Sequence, residues 1–327
     1  MKQYYLHIGF HKTGSKFIQK KILEKISSED YYIITPTSKI NQTILDFLKT
    51  KNPELKKNII EYLKKIEKKK IIYSSEALFG FSMNGFKDKE LRFKILEEIF
   101  EKPKYIIFFR EPSEIIYSHY FQGLRGLYLF EDFIQYSTKD LMFLHNEIPQ
   151  RFAQGTNYKL FDYNELLKDY IKIKDRVLFI NFSDFFFKSP EKSLIKFQTF
   201  LDLKLDLNLN YKEKTNPSQK KLVYFIFYNK YFHFKIIKIV ILRFFLFLSN
   251  FKNLKKYNFR HIIANTLQRV IIIYNYFFKL INSKKLNEYE KKIIQHKEFI
   301  KSYHLQNYRK FLAEIEVSNI NTNEQNN

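Results

Sequence analysis

The chain has 327 residues, which allows two ordinary domains or one large α/β domain with an extension. Hydrophobic residues make up 45% and charged residues 28%, with only 7 Gly and 7 Pro, which excludes collagen-like and Pro-rich disordered chains. The absence of cysteine excludes disulfides, thiolate metal ligands and a cysteine nucleophile, so we expect a cytoplasmic protein. No stretch without Asp, Glu, Lys or Arg exceeds ten residues, whereas a membrane-spanning helix needs about 20 apolar residues. We therefore expect no membrane span, and no secretory signal either.

The positive charge is concentrated in one part of the sequence. The chain carries 57 Lys and Arg against 34 Asp and Glu, a net charge of +23. Residues 214–287 contain no Asp or Glu but fifteen Lys or Arg, so the rest of the chain carries only +8. Such an acid-free segment predicts an anionic partner, such as phospholipid or another polyanion.

Strand-like and helix-like patterns alternate through the first two thirds of the chain. Apolar runs of strand length lie at Tyr4 to Gly9, Tyr31 to Thr35, Ile71 to Ser75, Tyr105 to Phe109 and Val177 to Ile180. Helical spacing of apolar residues lies between them, for example over residues 17–26 and 55–66. This alternation predicts an α/β fold: an open, mostly parallel five-stranded sheet with helices on both faces.

Beyond Pro217 the pattern changes to long aromatic, basic and helical segments with no strand signal. The last ten residues contain five Asn and no large aromatic side chain, which is typical of a disordered tail. We therefore predict an α/β core over 1–218, an all-helical extension over 219–316 and a disordered tail over 317–327.

The segment HIGFHKTGSKFIQ, residues 7–19, follows the first strand and enters an amphipathic helix. Backbone N–H groups of a Gly-containing turn before a helix form a cradle for phosphate or a similar oxyanion. Gly9 and Gly14 have the spacing of a nucleotide-binding P-loop, but the next residues, Ser15 and Lys16, are in the reverse order. The pattern therefore departs from that of a nucleoside triphosphate enzyme.

The order Lys12-Thr13-Gly14-Ser15 instead resembles the 5′-phosphosulfate loop of sulfotransferases that use 3′-phosphoadenosine 5′-phosphosulfate (PAPS). A second motif of that family, which grips the 3′-phosphate, is similar to Arg110, Pro112 and Ser118 after the fourth strand. The similarity extends over roughly residues 4 to 220, and KTNPSQ, residues 214–219, resembles a nucleotide-side loop of bacterial carbohydrate-type members.

The resemblance implies a donor site and a reaction. It implies that Lys12 stabilises the bridging oxygen as the S–O bond breaks, and that Arg110 and Ser118 contact the 3′-phosphate. Further donor-binding residues implied by it are His11, Thr13, Gly14, Ser15, Lys16, Phe17, Asn216 and Ser218. A general base is also needed, for which Glu76, directly after the third strand, and His119 are the candidates. No metal is expected, because no His, Asp or Glu spacing suggests a metal site.

The sequence thus predicts transfer of a sulfuryl group from PAPS to a hydroxyl or amine of a carbohydrate or glycolipid. Two alternatives are a degenerate P-loop kinase and a non-catalytic protein that binds membranes or polyanions. Aromatic and basic residues interleave over residues 219–287, which indicates peripheral binding at the cytoplasmic face of an anionic membrane, or helices that only pack on the core. No specific nucleic-acid partner is expected.

Overall fold

The computed structural model describes residues 2–26, 30–80, 86–125, 137–138, 157–203, 288 and 290–316. Within these residues, five strands form one all-parallel sheet, which confirms the predicted α/β fold. The strands are β1 (Gln3–Gly9), β2 (Tyr31–Ile34), β3 (Lys70–Ser74), β4 (Lys104–Phe109) and β5 (Val177–Asn181).

The described helices fill the connections between the strands and follow the last of them. The helix after β1, α1, is continuous from Ser15–Phe17 through a π-helical segment, Ile18–Leu23, to Glu24–Ile26. The others are α2 (Lys39–Thr50), α3 (Pro53–Lys65), α4 (Lys89–Ile99), α5 (Pro112–Arg125), α6 (Tyr163–Leu166), α7 (Lys168–Lys172), α8 (Pro190–Leu201) and α9 (residues 290–316). Short helical turns lie at Glu76–Leu78, Tyr158–Phe161 and Lys174–Arg176, and a second π-helical segment at Asp184–Lys188.

The strand order, β2-β3-β1-β4-β5, decides where a ligand can bind. The chain leaves β1 toward β2 and β3 on one side, and later continues from β4 to β5 on the other. The carboxyl ends of β1 and β4 therefore flank the point where the winding direction reverses, and ligands of open parallel sheets bind in the crevice at such a point. Gly9 at the end of β1 is in register with Phe108 near the end of β4.

Alternate residues of each strand face the two sides of the sheet, and helices cover both sides. One face contributes Tyr5, Ile72 and Phe108 to a buried cluster with residues of α1, the Asp184–Lys188 segment and α8. On the other face, Tyr73 donates to Asn41 of α2, and the Tyr105 ring stacks on Phe93 of α4 at 6.1 Å. Both faces of the strands are thus buried, as expected for a parallel sheet.

The described residues fall into two compact units. The first holds the described parts of Met1–Ile115, Lys159–Thr215 and Ser302–Asn327, and the second those of Ile116–Tyr158 and Asn216–Lys301. In the first unit, Phe311 of α9 packs edge-on against Phe109 at 5.1 Å. In the second unit, Ser137 hydrogen-bonds His296 at 2.8 Å. The predicted boundary at 218/219, the segment 219–287 and the tail 317–327 lie outside the described residues.

None of the described helices combines the length and the apolar character that a bilayer-spanning segment needs.

Candidate functional site

The loop between β1 and α1 adopts a backbone that ordinary residues rarely adopt. Gly9, Lys12 and Gly14 have φ angles of 144°, 74° and 89°. The Thr13 hydroxyl donates to the Phe10 carbonyl at 2.6 Å, which closes the loop on itself. Alternation of such conformations turns successive backbone N–H groups toward one side and makes an anion-binding concavity. The three positive φ angles are of the kind that such a concavity needs, and the anion cradle stays a prediction.

A phenylalanine cluster, Phe182, Phe186 and Phe187, follows β5, and the rings of Phe182 and Phe186 pack against this loop. The rings of Phe182 and Phe186 lie 4.7 Å apart, and Phe186 also meets the ring of Phe17 edge-on at 5.1 Å. A methyl group placed on Gly14 would lie 2.6 Å from Cε2 of Phe186, which is closer than real atoms approach. Gly14 is therefore required both by its positive φ and by the ring beside it.

Arg110, directly after β4, reaches the same phenylalanine cluster. Its guanidinium carbon lies 4.5 Å from the ring centroid of Phe182, a cation–π contact. Arg110 also pairs with Glu114 at 2.7 Å, and its side chain is only 15% exposed. That ion pair uses one of five guanidinium N–H donors, so Arg110 has the capacity to hold an anion as well.

Glu76 and His11 form a hydrogen-bonded pair beside the loop. The Nδ1 atom of His11 lies 3.0 Å from Oε2 of Glu76, and the two side chains are 30% and 29% exposed. Burial disfavours the carboxylate, but hydrogen bonds from His11 and Ser15, and the charges of His11 and His7 in their protonated forms, outweigh it. The pKa of Glu76 falls to about 2, so the carboxylate is ionised at neutral pH.

The predicted site residues divide into four groups. His11, Lys12, Thr13, Gly14, Ser15, Glu76 and Arg110 lie at the carboxyl ends of β1, β3 and β4 in the first unit. In α1, Lys16 is exposed, whereas Phe17 is part of the buried cluster on the α1 face of the sheet. In the second unit, Ser118 is half-buried and His119 is 8% exposed, both on α5. Asn216 and Ser218 lie outside the described residues.

Two site features escaped the sequence prediction. The first is the contact of Phe182 and Phe186 with Arg110 and Gly14, although the aromatic run in FSDFFFKSP directly after β5 was a signal for it. The second is the pairing of His11 with Glu76, which are 65 positions apart. No local pattern carries a contact of that separation.

No family model matches the sequence, and no curated protein matches it either. The chain is similar to the crystal structure of a sulfotransferase from Alicyclobacillus acidocaldarius, with a TM-score of 0.46 and 14% sequence identity. That similarity covers 70% of this chain and 93% of the other.

Proposed function

We propose that this protein transfers a sulfuryl group from PAPS to a hydroxyl or amine of a carbohydrate or glycolipid acceptor. The observation that carries the proposal is the continuous contact from the Gly14 loop through Phe186 and Phe182 to Arg110. In a bound nucleotide, the loop would hold one anionic group and the Arg110 guanidinium the other. The aromatic rings would lie beside the base and sugar between them.

Sulfuryl transfer needs little from the protein beyond positioning and charge stabilisation. The acceptor oxygen forms a bond to sulfur while the bond from sulfur to the 5′-phosphate oxygen breaks, and that oxygen leaves with the electron pair. In the proposed reaction Lys12 stabilises the charge that develops on the leaving oxygen, and the loop amides hold the phosphate. Arg110 holds the 3′-phosphate at the other end of the nucleotide.

The acceptor class and the location belong to the proposal as well. The resemblance of residues 214–219 to a loop of carbohydrate-type sulfotransferases supports a carbohydrate or glycolipid acceptor. The fifteen basic residues of the acid-free segment support a location at the cytoplasmic face of an anionic membrane, where a lipid-linked acceptor is accessible.

Calorimetric titration of the full-length protein tests the donor. Adenosine 3′,5′-bisphosphate should bind without metal and more tightly than ATP with magnesium. Arg110→Ala should weaken binding of the bisphosphate by roughly 10- to 100-fold, the range of a lost charge-assisted hydrogen bond. Arg110→Lys should recover only part of this loss, because a lysine lacks the planar fork of donors.

Adenosine 5′-monophosphate is the matched control ligand, because it lacks only the 3′-phosphate. Its affinity should change little in Arg110→Ala. Equal or tighter binding of magnesium-ATP to the wild type would favour the kinase alternative. Binding of neither nucleotide would leave the membrane- or polyanion-binding protein as the better description.

A further inference from the structure

His11 and Glu76 form a hydrogen-bonded pair that can take part in proton transfer. It joins the loop after β1 to the turn Glu76–Leu78 after β3, at the carboxyl edge of the sheet. Both side chains are about 30% exposed. Lys12, which we propose to stabilise the leaving oxygen, is the next residue after His11 in the chain.

The hydrogen bond defines the protonation pattern of the His11 ring. When Nδ1 of a neutral imidazole donates its proton to a carboxylate, the other ring nitrogen, Nε2, carries the lone pair. A carboxylate partner also fixes the orientation of the ring and stabilises the imidazolium that forms when Nε2 takes a proton. Glu76 lies 3.0 Å from Nδ1 and can perform both tasks.

Two nearby groups are less suited to accept a proton. The Glu76 carboxylate is stabilised by His11 and Ser15, and so strongly acidic a group is a weak base. His7 is 2% exposed, its Nδ1 lies 2.7 Å from the Ser74 hydroxyl, and burial lowers its pKa to about 4 despite the charge of Glu76. Neither group is an imidazole that is paired through Nδ1 with a carboxylate, as His11 is.

We propose that His11 is the catalytic base and that Glu76 is a positioning residue that orients the His11 ring. The inference rests on the proposed sulfuryl transfer. As the acceptor oxygen bonds to sulfur, its proton passes to Nε2 of His11, and the leaving phosphate oxygen keeps the electron pair of the broken S–O bond. The imidazolium then releases the proton to solvent, which restores the base. The other titratable group that acts on Glu76 is His7 on β1, and Lys12 follows His11 directly in the loop.

The test uses water as the acceptor, so that no acceptor has to be known. Release of labelled sulfate from ³⁵S-labelled PAPS is measured in single turnovers with full-length enzyme in excess, as a function of pH. His11→Asn keeps an N–H group for Glu76 but has no basic nitrogen, and should lower the rate by about 100-fold or more. The rise of the wild-type rate with pH should disappear in this variant, while its affinity for adenosine 3′,5′-bisphosphate stays within about threefold.

Glu76→Gln separates the two roles. If Glu76 positions the ring, this variant should lower the rate by about tenfold and keep the rise with pH, because the His11 base remains in place. If Glu76 were the base, Glu76→Gln would abolish the pH-dependent rate and His11→Asn would retain most of it. A loss of bisphosphate affinity above tenfold in His11→Asn, with an unchanged rate at saturation, would make His11 a donor-binding residue. Either result overturns the proposal.

A second readout does not depend on the reaction. ¹⁵N spectra of histidine-labelled protein should show neutral His11 protonated at Nδ1, and Glu76→Ala should shift the population toward the other tautomer. Neutral His11 protonated at Nε2 in the wild type overturns the pairing. Failure of the bisphosphate to bind while the Nδ1 tautomer is present would instead overturn the proposed function, and the base assignment with it. Sulfate release no faster than from free PAPS, with the bisphosphate bound, overturns the base assignment alone.

Discussion

Lys12 has a positive φ of 74° at the centre of the candidate site. A residue with a side chain in this region costs free energy, and such conformations cluster where function requires them. The strain at Lys12 is offset by the closed loop around it, in which the Thr13 hydroxyl donates to the Phe10 carbonyl. The catalytic role that we propose for Lys12 can be tested by measuring rate and stability separately.

Lys12→Ala should therefore lower turnover far more than it lowers stability. Loss of a group that stabilises the transition state typically raises the barrier by about 2.7–4 kcal/mol, which is a 10²- to 10³-fold loss of rate. Sulfate release from PAPS and the denaturant midpoint should be measured on the same preparation.

The matched control for this variant is Lys51→Ala. Lys51 has a φ of 58° at the end of α2 and is exposed outside the site. It should change neither rate nor stability appreciably. If the rate loss of Lys12→Ala is explained wholly by unfolding, the catalytic assignment is wrong.

At the scale of elements, two π-helical segments meet beside the loop. Phe17 immediately precedes the first, Ile18–Leu23, and Phe186 belongs to the second, Asp184–Lys188. Their rings contact each other at 5.1 Å, and Phe186 also fills the space beside Gly14. Single π-helical turns are frequent at functional sites. Here the second segment places the Phe186 ring between Gly14 of the loop and Phe182, the ring that contacts Arg110.

A double-mutant cycle tests this contact between elements. Gly14→Ala should destabilise the protein by about 2 kcal/mol or more, because an alanine there is strained at positive φ and collides with Phe186. In a Phe186→Ala background the same change should cost about 1 kcal/mol less, because only the backbone strain remains. The free energies of unfolding are measured with denaturant.

Gly80→Ala is the control for the cycle. Gly80 also has a positive φ, 112°, but its nearest neighbour is Asp88 rather than a ring of the phenylalanine cluster. Its cost should be the same with and without Phe186. Strict additivity of Gly14→Ala and Phe186→Ala would show that the ring does not constrain the loop.

At the scale of the whole molecule, the buried His7 links stability to pH. Burial lowers the pKa of His7 from 6.5 to about 4, so the folded protein binds fewer protons than the unfolded chain between these values. Stability should therefore fall as the pH drops from about 6.5 to about 4, by roughly 3 kcal/mol from this group. The pKa of Glu76 is lowered from 4.5 to about 2, so its ionised form stabilises the folded protein at any pH above about 4.5. This stabilisation is lost as the pH falls from about 4.5 to about 2.

His7→Gln should flatten the pH dependence of unfolding between pH 4 and 6.5. The measurement is the slope of the unfolding free energy against pH, which is independent of any overall loss of stability in the variant. The slope below pH 4 should change little, because it arises from carboxyl groups. An unchanged slope between pH 4 and 6.5 would show that His7 does not titrate in this window.

The acid-free segment, residues 214–287, also affects the whole molecule, because it supplies fifteen of the 23 net positive charges of the chain. We propose that it attracts the protein to anionic membranes, with about 1 kcal/mol per basic residue near the surface. Co-sedimentation should occur with anionic vesicles, weaken at high salt and be absent with neutral vesicles. Replacing Lys235 and Lys238 with Glu should weaken it roughly tenfold or more.

The control exchanges Lys49 and Lys64, exposed residues of α2 and α3, for Glu. These helices lie outside the segment, so binding should be nearly unchanged. Equal pelleting on anionic and neutral vesicles, or none on either, would contradict membrane attraction.

The amino-acid sequence by itself determined the strands and the short motifs that follow them. All five predicted strands are present within one or two residues, because an apolar run of strand length between turn residues is a local property. The helical patterns over 17–26 and 55–66 correspond to α1 and α3, whereas α2 and α4 were not predicted. The motif around Lys12 and the motif around Arg110 each lie in one short contiguous segment, so both could be found from the sequence.

Only the tertiary structure decided which of these segments meet. The order β2-β3-β1-β4-β5 brings the ends of β1, β3 and β4 to neighbouring positions and so joins His11 to Glu76. The phenylalanine cluster after β5 comes to lie between Gly14 and Arg110, more than 70 positions from either. Strand pairing over such separations depends on the burial of both faces of the whole sheet, and no local periodicity encodes it.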